Sequence, residues 1–278
     1  MISVLRGRGA GFGAAACVRF FFIFFLLAAP RLLFSSPVEA EDWQEVKGEN
    51  FIVFYLEDSA FAQAVLTQAE RYYQAIASDL GYSRYDNFWQ WEDRAKIYIY
   101  RDHEAFLKAT GKQFWIHGTA FYEKREIVSY KWEQGFLDVL LPHELCHLIF
   151  RDFIGFKGQV PLWLDEGVAQ WEEVRRRKGD IEMVKGLIAR KEYLPLEELM
   201  RVGPESEKDP VLSAKLYSQA ATLVGFLMEK YGPSRFVSFC RELRDGKSVD
   251  AALSFVYTDS IPDTGALEKG WLQHYGGG

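Results

Sequence analysis

His143-Glu144-Leu145-Cys146-His147 is the stretch that decides how the rest of this chain is interpreted. Its pattern is H-E-x-x-H, and on a helix residues four positions apart share one face. Both imidazoles then point the same way and can hold one zinc ion, while Glu144 lies beside them to polarise a water. A pattern this short can also arise by chance. Its meaning therefore depends on whether the neighbouring sequence supplies a helix, a third ligand and a cleft.

The residues around this stretch predict a buried helix, because apolar side chains recur at helical spacing. These side chains are Phe136, Leu137, Leu140, Leu141, Leu145, Leu148 and Ile149. Pro142 removes one helical hydrogen bond. Either the helix therefore begins near Pro142, where proline is tolerated, or a longer helix bends there. Gly155 and Gly158 predict its end.

A second helix beginning at Pro161 offers the third ligand. Leu164, Val168 and Trp171 form its apolar stripe, and Glu166 lies nineteen positions after His147. A short turn between the two helices can bring this carboxylate to the histidines. Two imidazoles and one carboxylate leave a fourth position open for water, which is typical of a catalytic rather than a structural zinc site.

The double pattern of residues 143–147 followed by Trp163-Leu164-Asp165-Glu166-Gly167-Val168-Ala169 resembles the gluzincin branch of the zinc metallopeptidases. It is most similar to the small bacterial proteins called peptidase MA-like. The resemblance implies a zincin-like fold with the zinc helix at a cleft, and a peptide or protein as substrate. It also implies Zn²⁺ as cofactor, with His143, His147 and Glu166 as ligands and Glu144 as general base.

Tyr217 is a further candidate catalytic residue. Peptide hydrolysis needs a donor for the oxyanion that forms when water attacks, and gluzincins commonly take a tyrosine or histidine from a later helix. Tyr217 lies near the start of a predicted helix over 214–231 and resembles the matching position. The alternative is a buried structural tyrosine. Gln170, one turn after Glu166, is predicted to hydrogen-bond a ligand imidazole.

The order of the predicted elements indicates an α+β fold. A small mixed sheet is expected in residues 41–134, with strands over 50–56, 95–100, 119–122 and 127–130. Asp58 and Ser59 are expected to cap a helix that runs to about Leu80. Residues 135–278 are predicted to form the helical lobe of the same metallopeptidase domain.

The strand that begins after Ile116 is expected to form the upper rim of the cleft in the family that the chain resembles. An exposed edge strand there can pair with an extended peptide. His117 would then contact the substrate, or it is an ordinary loop histidine.

Residues 1–40 are predicted to be a secretory signal. Arg6, Arg8 and Arg19 precede the apolar run Phe20–Ala29, which is too short to cross a bilayer, since about twenty residues are needed. Cleavage is expected after Ala40. The alternative is an uncleaved N-terminal anchor, and it would supply the only contact with a membrane. In both cases the catalytic part is exported to the periplasm or the extracellular space.

Charge and cysteine content narrow the classes of partner. Without residues 1–40 the chain has 29 basic and 38 acidic residues, a net charge of −9, which argues against nucleic acid. Arg175-Arg176-Arg177-Lys178 is interpreted as a solvated helix end that complements the macrodipole, or alternatively as a contact for anionic surfaces. Cys146 and Cys240 are expected to stay free, because Cys146 lies inside the predicted zinc helix.

The function predicted from these features is zinc-dependent peptide-bond hydrolysis by an exported enzyme, with Glu144 activating a water held at the zinc. Two alternatives stay open. One is a zinc-containing binding or assembly protein of the cell envelope without turnover, and the other is a zinc hydrolase of a non-peptide amide. The oligomeric state is not predicted.

Overall fold

A computed structural model describes residues 42–81, 89, 91–132, 135–156, 160–203, 209–258 and 260–277. Within these residues the N-terminal part forms a five-stranded mixed sheet in the order β1-β2-β3-β5-β4. The strands are β1 (Gln44–Lys47), β2 (Phe51–Tyr55), β3 (Ala95–Tyr100), β4 (Gly118–Phe121) and β5 (Glu126–Tyr130). β2, β3 and β5 run parallel, and each edge strand is antiparallel to its neighbour.

Both faces of this sheet are covered because its strands alternate side chains between two cores. Phe51, Val53 and Ile97 enter the main core, which they share with helices α1 (Ser59–Asp79) and α3 (Leu141–Ile154). Tyr98 and Tyr130 lie in a second, aromatic core with helix α2 (His103–Thr110). The Asp58 side chain accepts a hydrogen bond from the backbone N–H of Phe61, so the predicted N-cap of α1 is confirmed.

The rest of the described chain is helical, as predicted. Its remaining helices are α4 (Leu162–Glu172), α5 (Val174–Arg190), α6 (Leu196–Leu199), α7 (Pro210–Tyr231), α8 (Pro233–Arg244), α9 (Val249–Tyr257) and α10 (Thr264–Gly276). By length and composition Val211–Tyr231 could cross a bilayer, but 78% of its most apolar window is buried inside the protein. This burial is what the central helix of a packed lobe shows, and α7 indeed lies against α4 and α5.

Pro142 marks the start of the motif helix, the first of the two predicted possibilities. A π-helical turn (Phe136–Leu140) follows Gly135, whose φ of 119° is left-handed. The α-helix then begins at Leu141, so Pro142 occupies its first turn, where proline is tolerated. The helix ends at Gly155, also left-handed with a φ of 82°. Gly158 lies outside the described residues.

The α+β fold is therefore confirmed. One strand was not predicted, and one interpretation of a basic cluster was wrong. The short edge strand β1 had no sequence prediction. The basic cluster Arg175–Lys178 does not end a helix, since it lies in the first turn of α5. Two of its arginines make contacts that fix their side chains: Arg175 pairs with Asp138, and Arg177 donates to the Trp171 carbonyl at the end of α4. The predicted signal or anchor over 1–40 lies outside the described residues.

Candidate metal centre

Three predicted ligands meet at one point of the fold. His143 and His147 come from successive turns of α3, and Glu166 comes from the second turn of α4. Each residue offers one ligand atom, and these atoms all lie within 4.8 Å of one another. All three residues are buried. The described residues hold no other group of at least three such side chains.

The spacing of the three side chains fits zinc. A tetrahedral zinc ion with bonds of about 2.0–2.2 Å needs ligand atoms about 3.3–3.5 Å apart. The two Nε2 atoms of His143 and His147 lie 3.1 Å apart. The Glu166 carboxylate oxygens lie 3.5 Å from Nε2 of His143 and 3.8 Å from Nε2 of His147. The donor set of two nitrogens and one oxygen is also the set that zinc takes in catalytic sites.

Glu166 reaches the histidines because α4 packs closely between α3 and α7. Gly167, the next residue, permits this approach: a Cβ there would lie 2.8 Å from the backbone carbonyl oxygen of Ala220 on α7. Real Cβ atoms do not approach a backbone oxygen so closely. A glycine after Glu166 is therefore a packing requirement of the helix that carries the third ligand.

Two further carboxylates orient the histidines from behind. Nδ1 of His143 lies 2.6 Å from Oε1 of Glu173, and Nδ1 of His147 lies 3.1 Å from Oδ1 of Asp165. When each Nδ1 donates its proton to a carboxylate, each Nε2 keeps its lone pair for a metal. Two such lone pairs 3.1 Å apart repel each other unless a cation or a proton lies between them.

The electrostatics of this group favour a positive charge. Burial by itself lowers the pKa of His143, but the carboxylates of Glu166 and Glu173 raise it to about 10. Burial by itself raises the pKa of Asp165, but His147 and Arg151 hold it below its usual value. The centre thus stabilises a cation strongly enough to overcome the cost of burial, and a metal ion competes there with a proton.

Glu144 is a buried carboxyl next to His143 on the motif helix. Burial raises its pKa to about 8, while His143 opposes that increase and Glu166 adds to it. Lys112, in the loop that leads to β4, also lowers the pKa of Glu144. Among the described residues, nothing forms a hydrogen bond with the buried Oε2 of Glu144. Burial therefore favours the protonated form of this carboxyl, and a cation beside it favours the carboxylate.

The comparisons with known proteins agree with this geometry. The family model described as the peptidase MA superfamily matches residues 86–275. The chain belongs to the peptidase MA superfamily. The comparison with curated proteins returned no match. This membership confirms the family that the double motif indicated, and within this superfamily the buried His-His-Glu group is interpreted as a zinc site.

A solved structure also matches this peptidase MA superfamily member. It is the crystal structure of a variant of the M1 zinc metallopeptidase from Deinococcus radiodurans, with 15% sequence identity and a TM-score of 0.45. The match covers 84% of this chain and 51% of that chain. The present chain therefore spans about half the length of that enzyme.

Tyr217 lies in α7 and is 7% exposed. Its proposed contact with an oxyanion stays a prediction.

The prediction that Gln170 hydrogen-bonds a ligand imidazole was wrong. The Gln170 amide donates instead to Oδ1 of Asp180 at 2.8 Å. Ser218, next to Tyr217, donates to the same oxygen at 2.8 Å. Asp180 thereby joins α4, α5 and α7 behind the metal centre.

His117 lies on the aromatic face of the sheet. Its Nδ1 is 2.5 Å from the Tyr130 hydroxyl, and its ring stacks on His103 with centroids 5.1 Å apart. Helix α2 begins at His103, and Nε2 of His103 donates to the carbonyl of Ile116 at 3.0 Å. Burial lowers the pKa of His117. These contacts support the ordinary loop histidine rather than a substrate contact.

The sequence patterns did not reveal the roles of four residues of this site. They are Glu173, which holds His143, Asp165, which holds His147, Arg151, which bonds Asp165, and Tyr122, whose ring covers Arg151. The available signal for Arg151 was its spacing, because it lies four positions after His147 and so on the same helix face. Glu173 follows the end of α4, and no spacing rule assigns it to His143. Cys146 and Cys240 are both buried and free, as predicted.

Proposed function

We propose that this chain is an exported zinc metallopeptidase that hydrolyses peptide bonds. The observation that carries the proposal is Glu144, which lies between the two histidines in the sequence and whose Oε2 is buried and, within the described residues, without a partner. From this position the carboxylate can take a proton from a water held by the ion.

The roles of the chain's own residues follow from this arrangement. Zinc, when bound by His143, His147 and Glu166, supplies a Lewis acid that polarises a carbonyl and makes a water easier to deprotonate. Glu144 accepts the proton as the water oxygen bonds to the carbonyl carbon. It returns that proton to the amide nitrogen as the C–N bond breaks. The Tyr217 hydroxyl donates to the oxyanion in between.

The position of β4 supports an extended peptide as the substrate. β4 pairs with β5 on one side only among the described strands, so it is an edge of the sheet. A Cβ on its first residue, Gly118, would clash with the side chain of Leu140, and that leucine precedes His143 by three positions. A peptide that pairs with this edge strand runs beside the zinc helix, and its backbone bonds tolerate many sequences.

The deciding experiment compares the full chain with Glu144→Gln, both purified from the same host. Zinc content is measured, and a peptide library is digested and analysed by mass spectrometry. We expect one zinc per chain in both proteins and cleavage by the wild type alone. Glu182→Gln, an exposed glutamate of α5, is the matched control and should cleave normally. Persistent cleavage by purified Glu144→Gln refutes the assignment of the base.

The same experiment separates the two alternatives. Equal zinc in both proteins with no peptide cleavage by either favours a binding or assembly protein of the envelope. Activity of the wild type only on small non-peptide amides favours the second alternative. A chain without zinc contradicts all three.

Export is proposed from residues 1–40 and has its own test. The protein is recovered from cell fractions of its host, and its N-terminus is sequenced. We expect it outside the cytoplasm and beginning at Glu41. An intact N-terminus in the membrane fraction indicates the anchored form, whereas an intact cytoplasmic protein contradicts export.

A further inference from the structure

Arg151 is a buried cation beside the metal centre that the peptidase chemistry does not use. It lies on α3 four positions after His147, and its side chain is 9% exposed. Its Nη2 donates to Oδ2 of Asp165 at 2.6 Å, while Oδ1 of the same carboxylate bonds Nδ1 of His147 at 3.1 Å. The Asp165 carboxylate is thus held at both oxygens, by the ligand on one side and by the guanidinium on the other.

Tyr122 completes this arrangement. Its ring lies over the guanidinium, with Cζ of Arg151 3.8 Å from the ring centroid. The same ring meets His147 edge to face, at 6.3 Å between centroids and 79° between planes. His147, Asp165, Arg151 and Tyr122 therefore form a ring of four side chains that contact one another. A cation over an aromatic face in a buried place is stabilised by the ring.

Among the contacts described for His143, the carboxylate behind it is paired less tightly. Glu173, which holds His143, is also near an arginine, but Nη1 of Arg176 lies 3.4 Å away and its side chain is 36% exposed. Solvent weakens that pair. A buried carboxylate is costly without full pairing, and at Asp165 the pairing comes from a guanidinium fixed on the zinc helix itself.

We propose that Arg151 is a positioning residue of the metal centre. By holding Oδ2, it aims Oδ1 of Asp165 at Nδ1 of His147 and so keeps Nε2 of that ring turned toward the ion. Tyr122 keeps the guanidinium in place. This inference rests on the proposed zinc site, because its effect reaches the metal only through Asp165 and His147.

The test measures zinc dissociation rather than peptide cleavage. The full chain is loaded with zinc, and metal loss to an excess of a chromogenic chelator is followed for the wild type, Arg151→Met and Arg151→Lys. Partners behind a ligand are worth about 10–100-fold in metal affinity. We expect Arg151→Met to lose zinc at least 10-fold faster. Arg151→Lys, which keeps the charge without the fork of donors, should fall between it and the wild type.

Arg244→Met is the matched control. Nη1 of Arg244 donates to the carbonyl of Ile154 at the end of the same helix, at 2.7 Å, without reaching the metal centre. Loss of this bond disturbs α3 but not Asp165. We expect zinc dissociation at the wild-type rate, and an equal acceleration in Arg244→Met and Arg151→Met would show that α3 has merely been destabilised.

A double-mutant cycle with Asp165→Asn decides whether Arg151 acts through Asp165. We expect Arg151→Met to accelerate zinc loss less than 3-fold in the Asp165→Asn background. Accelerations that multiply independently in the double variant overturn the inference while leaving the zinc site intact. A wild type that binds no zinc overturns the proposed metal centre, and the inference with it.

Discussion

Glu173 and His143 are joined through Oε1 and Nδ1 at 2.6 Å, although thirty positions separate them. Glu173 is the single residue between α4 and α5, with φ −74° and ψ 73°. The change of direction there turns its side chain back toward α3. Glu173 is only 1% exposed, so the charge of its carboxylate acts on the imidazole with little screening by solvent.

Glu173→Gln should weaken zinc binding about tenfold, because an amide oxygen can still accept from Nδ1 but brings no charge. Competition with a chelating dye measures the zinc dissociation constant. Glu197→Gln is the control, since Glu197 forms an exposed pair with Arg201, and its dissociation constant should not change. Unchanged binding by Glu173→Gln would mean that the charge of Glu173 has no influence on the ligand.

Gly167→Ala should destabilise the protein by about 1–3 kcal/mol, because overpacking forces helices apart. The added Cβ would meet the Ala220 carbonyl and push α4, with Glu166, away from α7. Urea unfolding of the apo protein measures the loss of stability, and we also expect weaker zinc binding.

Gly179→Ala is the matched change in α5, where an added Cβ meets no described atom within 4 Å. Alanine should raise stability there by about 0.5–1 kcal/mol, since it is the better helix former. Equal effects of the two substitutions would contradict a close approach at Gly167.

Glu172 should make stability fall as pH rises. Burial raises its pKa from 4.5 to about 8, with Asp79 adding to the shift and Arg177 opposing it. Between these two values the folded protein binds the proton and the unfolded chain does not, so stability is lost from pH 4.5 up to about pH 8.

Glu172→Gln removes this dependence. Its gain over the wild type should be near zero at pH 4 and reach on the order of a few kcal/mol at pH 8.5. Urea unfolding of zinc-loaded protein at several pH values measures the difference. Exposed Glu182→Gln should show a constant difference across the range, and a Glu172→Gln gain that does not grow with pH refutes the raised pKa.

Tyr217→Phe should lower kcat about 100-fold and leave KM nearly unchanged, because an oxyanion donor acts in the transition state. Tyr231→Phe, at the far end of α7, is the control and should keep the wild-type kcat. Tyr122→Phe tests the competing donor, since the buried Tyr122 hydroxyl has no partner within the described residues. A loss of kcat in Tyr122→Phe alone would transfer the role to Tyr122.

The ligands and the fold class were predictable because each depends on local regularity. His143 and His147 share a helix face by their spacing alone, and Pro142 and Gly155 bound that helix by their backbone preferences. The Asp-Glu-Gly stretch at 165–167 identified Glu166 through its resemblance to a known pattern. Alternating strands followed by amphipathic helices were enough to indicate α+β.

The surroundings of the ligands were decided by the tertiary structure. Glu173 reaches His143, Arg151 reaches Asp165, and Gln170 turns to Asp180 instead of an imidazole. Hydrophobic periodicity tells which face of a helix is buried, but the rotation and separation of packed helices determine which polar atoms meet there. Those depend on contacts across the whole lobe, such as that of Gly167 with Ala220. The sequence alone therefore determined which side chains form the candidate metal centre, and only the packing decided which atoms hold those side chains in place.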